Sequence, residues 1–162
     1  MHIAIISDTH DNVWKLEKAY PYLKESDAIL HCGDIVSPFM IARLAKEIQG
    51  IPIHIVWGNN DGDKLALGMA AQKVSDITIH GEFAEFNFNG FKIAINHYPA
   101  IGKALAQSQR YNLVCYGHDH TIHDEMIGRT RLVNPGELMG LNGRSTIAIL
   151  EVEASTISFV DL

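Results

Sequence analysis

Seven side chains able to hold a metal ion stand just beyond the ends of five apolar runs. Asp8 and His10 follow the first run, Asp34 the second, Asn59 the third, His97 the fourth, and His118 with His120 the fifth. Carboxylate, imidazole and amide oxygen together suit borderline first-row ions such as manganese, iron, cobalt, nickel or zinc. Calcium prefers oxygen alone. Taken singly, each residue has a bland reading: a hydrogen-bonded strand-end histidine, a capping aspartate at Asp34, a plain turn at Gly58-Asn59-Asn60-Asp61. Their joint occurrence, in order, is what points to a metal centre. Asp8-x-His10 and His118-x-His120 place alternate side chains on one side of an extended segment, so each pair could grip a shared centre. Of the nine histidines, four fall in these motifs. His2, His31, His54 and His80 read as structural, and His123 stands close enough in sequence to be a candidate contact.

The elements that must position these groups alternate over residues 1–61. His2–Ile6, Ala28–Leu30 and Ile53–Trp57 are short, β-branched apolar runs that read as buried strands. Val13, Leu16, Ala19, Tyr20 and Leu23 recur at helical spacing between the first two. Ser37-Pro38 reads as an N-cap and first helical residue. The helix it opens is expected to turn Phe39, Ala42, Leu44, Ala45 and Ile48 inward and to stop at Gly50. Strand, helix, strand, helix, strand is the pattern of a parallel sheet covered by helices. Beyond it, Ile77–Ile79, Ala84–Phe88, Lys92–Asn96, Leu113–Tyr116, Met126–Ile127, Leu132–Val133, Thr146–Val152 and Thr156–Val160 read as strands, with a turn at Asn89-Gly90 and a helix from Ile101 to Gln109. No linker or repeat divides the halves. The expected fold is α/β (α+β), one domain over residues 1–162 with two sheets face to face and helices outside. In such sheets ligands bind beyond the carboxyl ends of the strands, where the seven residues fall.

The 162 residues are 47% hydrophobic and 20% charged, a globular composition, with a formal net charge of −6. That balance, with no basic run, argues against an extended nucleic-acid surface. The opening Met1–Ile6 segment is too short for a signal sequence or a membrane span. Cys32 and Cys115 lack metal or disulfide spacing and read as small buried thiols, which fits a reducing cytoplasm.

The ordered set Asp8-x-His10, Gly33-Asp34, Gly58-Asn59-Asn60-Asp61, Asn96-His97 and Gly117-His118-x-His120 resembles the calcineurin-like metallophosphoesterase superfamily. The chain length and Asn134-Pro135-Gly136 resemble its small YfcE-like phosphodiesterase branch. The resemblance implies a four-layer αββα sandwich and two divalent ions, manganese first among the candidates. It also implies that Asp8, His10 and His120 hold one ion, that Asn59, His97 and His118 hold the other, and that Asp34 bridges them. The catalytic set would be Asp34, Asn59 and His97, acting on a small phosphodiester through in-line attack by a hydroxide shared between the ions. A homodimer is expected on the same ground. Two departures stand out. Many relatives carry a His at the Asn60 position, credited with assisting the leaving group, and usually a Ser where this chain has Glu137. Two rivals share the architecture. The retromer scaffold subunit has a depleted metal site, whereas all seven positions are filled here. The DNA-nuclease type adds a capping region for which this chain has no room.

Overall fold

The computed structural model describes residues 1–162. Its elements run β1 (His2–Ile6), α1 (Val13–Lys24), β2 (Ala28–His31), α2 (Pro38–Glu47), β3 (Ile53–Ile55), α3 (Lys64–Ala71), β4 (Ile77–Ile79), β5 (Phe83–Phe88), β6 (Phe91–Asn96), α4 (Pro99–Gln107), β7 (Leu113–Cys115), β8 (Ile122–Ile127), β9 (Thr130–Pro135), β10 (Thr146–Glu151) and β11 (Thr156–Asp161). They form a six-stranded sheet in the order β11-β10-β1-β2-β3-β4 and a five-stranded sheet in the order β5-β6-β7-β9-β8. β1 to β4 run parallel, as do β6, β7 and β9, while β10, β11, β5 and β8 are antiparallel to their neighbours.

Strand alternation divides the core into three layers of packing. Along β1, Ile3 and Ile5 face the second sheet, where they join Leu30, Ile95, Cys115 and Val133. Ala4 and Ile6 face the other way and meet Leu16, Leu23, Ile41 and Leu44 from α1 and α2. On the second sheet, Ala94, Val114 and Leu132 pack outward against Ala106 of α4. The result is a helix, sheet, sheet, helix sandwich, as expected. Because parallel strands here are buried on both faces, they are apolar at successive positions and not alternately polar.

Several elements depart from the sequence reading. α3 is an addition, opened by Asp63, whose side chain accepts from the Ala66 N–H at 2.9 Å. Its apolar residues lie on more than one face, with Leu65 and Met69 exposed beside buried Leu67 and Ala71, which blurs the helical period. α2 begins at Pro38 and is followed by Gly50, but the inward face is Met40, Ile41, Leu44 and Ile48. Phe39 and Ala42 are exposed, a correction of the expected face. Both faces carry apolar residues, and packing onto Ile6, Ile29, Ile53 and Ile55 of the first sheet, with Leu67 and Ala71 of α3 alongside, selects between them. Ser37 occupies the N-cap position without capping the helix, because its hydroxyl donates to Asp11 at 2.5 Å instead. The Asn89-Gly90 turn joins β5 to β6 with both residues at positive φ, as a two-residue hairpin requires. No helix is long and apolar enough to cross a membrane.

Candidate metal centre

The parallel ladders explain why distant motifs meet. Ile6, His31 and Ile55 are paired in one row across the first sheet, and Ile95, Cys115 and Val133 in one row across the second. Residues two to five positions beyond these rows therefore emerge along a single cleft between the sheets. Backbone hydrogen bonds tie the emerging loops together. Asp8 N–H and His10 N–H donate to the carbonyls of Gly33 and Asp34, Gly117 N–H donates to that of His97, and Leu138 and Met139 donate to those of Ser7 and Asp8.

The local conformation differs from the extended pairs expected. Asp8, His10, Asp34, His118 and His120 all have positive φ, between 43° and 78°. The two Asp/His-x-His pairs converge because left-handed turns aim both side chains inward, and not because a strand continues through them. Such conformations are uncommon for non-glycine residues and concentrate at functional sites. The adjoining glycines allow close approach. A Cβ on Gly58 would stand 2.1 Å from Asp34 Oδ1, and one on Gly117 would stand 2.6 Å from Asp8 Oδ2.

All seven predicted residues come together in two linked groups. In the first, Asp8 Oδ1 lies 3.3 Å from His120 Nε2 and 3.7 Å from His10 Nε2. In the second, Asn59 Oδ1 lies 2.9 Å from His97 Nε2 and 2.8 Å from His118 Nδ1. Asp34 Oδ2 stands between them, 3.3 Å from His10 Nε2 and 3.4 Å from His97 Nε2. Ligand atoms of Asp8, His10 and His120 all fall within 4.8 Å of one another, and those of Asp8, Asp34 and His97 do likewise. Asp8 Oδ1 and His10 Nε2 are buried with no hydrogen-bond partner. Buried polar atoms left in this way are costly, and a cation seated among them would satisfy them. The donor set and its spacing fit a pair of divalent ions.

The electrostatics agree. Burial would raise Asp34, yet the ring nitrogens of His10 and His97 beside it and the hydrogen bonds from Asn60 outweigh it and hold the carboxyl well below the ordinary carboxylate range. Burial likewise opposes, but His10, Ser7, His97 and the His118 N–H together more than offset it, so that Asp8 is also lowered. The nearby Asp34 carboxylate, and after it Asp8, pushes His10 up to about 9. His97 is raised too, its burial overcome by Asp34. The carboxylates thus draw positive charge to the point where the ring nitrogens converge, and a divalent ion would displace those protons.

Residues around the seven hold them in place, and the partners of Asp61, His31 and Glu137 were not legible in the sequence. His97 Nδ1–H donates to the Cys32 carbonyl at 2.8 Å, which turns Nε2 toward Asp34. Asp61, buried, accepts from the N–H groups of Gly58, Asp34 and Val36, so one carboxylate fixes two of the loops. His31, kept neutral by burial, which brings it down to about 4, accepts from Gly33 N–H and donates through Nε2 to Thr9 Oγ1 at 2.7 Å. Glu137, which had no account from sequence, places Oε2 2.6 Å from His120 Nδ1. The signal for it was its position, two residues past the end of the parallel strand β9. Asn60 donates from both its backbone and its side-chain amide to Asp34, each at 2.8 Å. His123 is bonded through Nδ1 to the Tyr116 hydroxyl at 2.8 Å, with Nε2 3.5 Å from Glu125, and makes no contact with the seven.

Comparisons with known proteins agree with this geometry. The pattern of the calcineurin-like phosphoesterase superfamily domain matches residues 1–155. Phosphodiesterase MJ0936 of Methanocaldococcus jannaschii is 32% identical over 160 residues, covering 94% of each chain. A solved structure of an archaeal phosphodiesterase superposes with a TM-score of 0.91 at 30% identity, over the whole of both chains. Vps29 of Chaetomium thermophilum shares the fold at a TM-score of 0.73 and 15% identity, covering 100% of this chain and 92% of its own. With its two mixed sheets, flanking helices and family pattern over nearly its full length, this chain belongs to the calcineurin-like phosphoesterase superfamily and is a metal-dependent phosphoesterase.

Proposed function

We propose that this phosphoesterase hydrolyses small phosphodiesters at a dinuclear centre, with Asp8, His10 and His120 holding one divalent ion, Asn59, His97 and His118 the other, and Asp34 shared. The observation that carries the reading is the position of Asp34 Oδ2, within 3.4 Å of a ring nitrogen from each group. When bound, such a pair of ions clamps the phosphoryl oxygens and supplies a hydroxide nucleophile at neutral pH. The chain's own residues orient and confine. Asp34 sets the spacing of the two halves, Asn59 offers its oxygen to the cluster and leaves its NH2 for the ester, and His97 is steered by the Cys32 carbonyl. No residue here is placed as a covalent nucleophile, so hydrolysis in one step at phosphorus is the reading. A groove of about 360 Å³ lined by His120, Thr121, Glu137, Asn142 and Arg144 adjoins the cluster, enough for one arm of a small ester. The Methanocaldococcus relative is likewise a phosphodiesterase by name.

The test is hydrolysis of bis(p-nitrophenyl) phosphate and of the matching monoester after chelation and reloading with manganese, iron, cobalt, nickel or zinc. Activity should vanish on chelation and return with at least one ion, manganese first, and the diester should be the better substrate. Chelator-resistant hydrolysis would overturn the metal reading, and a monoester preference would overturn the diester reading.

The same proposal takes residues 1–162 as one domain, because both sheets share the apolar layer containing Ile3, Leu30, Ile95 and Cys115. It places the protein in the cytoplasm, which the two free, buried thiols of Cys32 and Cys115 favour. It also takes the protein as a homodimer without an extended nucleic-acid surface. Light scattering should give twice 18.0 kDa at micromolar concentration, and a monomer alone would reject the dimer. The scaffold reading loses ground because the ligand positions are complete.

A further inference from the structure

Glu137 sits at 1% exposure beyond β9, a buried carboxylate that ordinary packing does not account for. Its two oxygens face two donors. Oε2 is 2.6 Å from His120 Nδ1, and Oε1 accepts from the Asn142 N–H at 2.5 Å. Its own carbonyl accepts from Thr146 N–H at 2.9 Å, which anchors the residue to the start of β10. On the far side of the ring, His120 Nε2 lies 3.3 Å from Asp8 Oδ1. A relay therefore runs from the loop containing Asn142, through the Glu137 carboxylate, to the imidazole that borders the cluster.

We propose that Glu137 is a positioning residue for the ion held by Asp8, His10 and His120. By accepting from Nδ1–H it fixes the tautomer of His120, points the Nε2 lone pair at the ion and increases its donor strength. The carboxylate–histidine–metal arrangement is worth typically 10–100-fold in metal affinity. The second oxygen ties that effect to the loop bordering the adjoining groove, so the ordering of that loop and the grip on the ion are linked. A serine at this position is too short to reach both donors. This inference rests on the dinuclear reading above.

The experiment compares the full-length wild type with Glu137→Ser and Glu137→Gln. Each metal-free protein is titrated with Co²⁺ against a competing chelator, followed by visible absorption, with His120→Ala as the reference for loss of the first ion. Glu137→Ser should weaken one of the two dissociation constants by about 10–100-fold and leave the other within about threefold. Glu137→Gln, with one acceptor oxygen for two donors and no charge, should fall between. Gln keeps the size of the residue, so it carries the test if the serine variant does not fold. If both variants bind both ions as wild type does, the inference is overturned, even where the metal-free melting temperature drops, because that pattern is purely structural support. If wild type takes up no Co²⁺ at the cluster, the dinuclear reading itself fails, which is a different result from equal affinities.

Discussion

Asp34→Asn is expected to lower kcat/KM for an activated phosphodiester by about 10³-fold or more, some 4 kcal/mol of barrier, and to leave the purified protein depleted in metal. The substitution keeps size and shape. Asn tolerates the left-handed conformation that Asp34 adopts at φ 60°, so the loop after β2 should survive. What changes is the charge and the pattern of donors. Asp34 receives two hydrogen bonds from Asn60 and faces ring nitrogens of His10 and His97. An amide offers only one acceptor oxygen, and its NH2 must face a donor. The carboxylate proposed to be shared between the two ions would then hold neither. Steady-state kinetics beside elemental analysis of the same preparation read both effects. Full metal content with full hydrolytic rate would show that Asp34 is not shared.

A steep dependence on the leaving group is the second large effect expected. A positioned general acid contributes about 10²–10⁴-fold where the departing oxygen needs a proton. Asn60 stands where the resemblance to the superfamily leads one to expect His, and an amide does not titrate in the useful range. In the structure its side-chain N–H is also engaged with Asp34 Oδ2. Nitrophenyl-type leaving groups depart as stable anions and need little help, so such diesters should react well and simple alkyl phosphates poorly. Asn60→His can still donate toward Asp34 and adds a titratable proton, so it should accelerate alkyl esters most. The measurement is kcat/KM against leaving-group pKa for both proteins. A flat wild-type slope, or equal gains for every ester in the variant, would sink the idea.

Much of the site was legible because it lies where strands end, and strand ends are visible as apolar runs stopping at polar residues. Parallel pairing then brings such ends together within each sheet, as with Asp8 and Asp34, and the face-to-face packing of the two sheets brings His97 to Asn59. The backbone that aims the ligands was not legible. Asp8, His10 and His120 adopt positive φ, which nothing in their residue types demands, and the pairs looked extended on paper. Supporting residues were hidden for another reason. Asp61 and Glu137 act across the ladder, on N–H groups and a ring nitrogen supplied by other segments, so their roles exist only once the sheets are assembled. The fold shows the same division. β1, β2 and the β5–β6 hairpin follow from local pattern and turn chemistry. The inward face of α2 depends on which of two apolar faces meets the first sheet and α3, and Phe39 lost to Met40 and Ile41 for that tertiary reason.

The central claim is a pair of ions sharing Asp34, and anomalous diffraction from crystals grown with Mn²⁺ tests it most directly. Two anomalous peaks are predicted, about 3.5–4 Å apart, one among Asp8, His10 and His120 and one among Asn59, His97 and His118, with the Asp34 carboxylate between them. A single peak, peaks elsewhere, or a pair in which Asp34 touches only one ion would contradict the account.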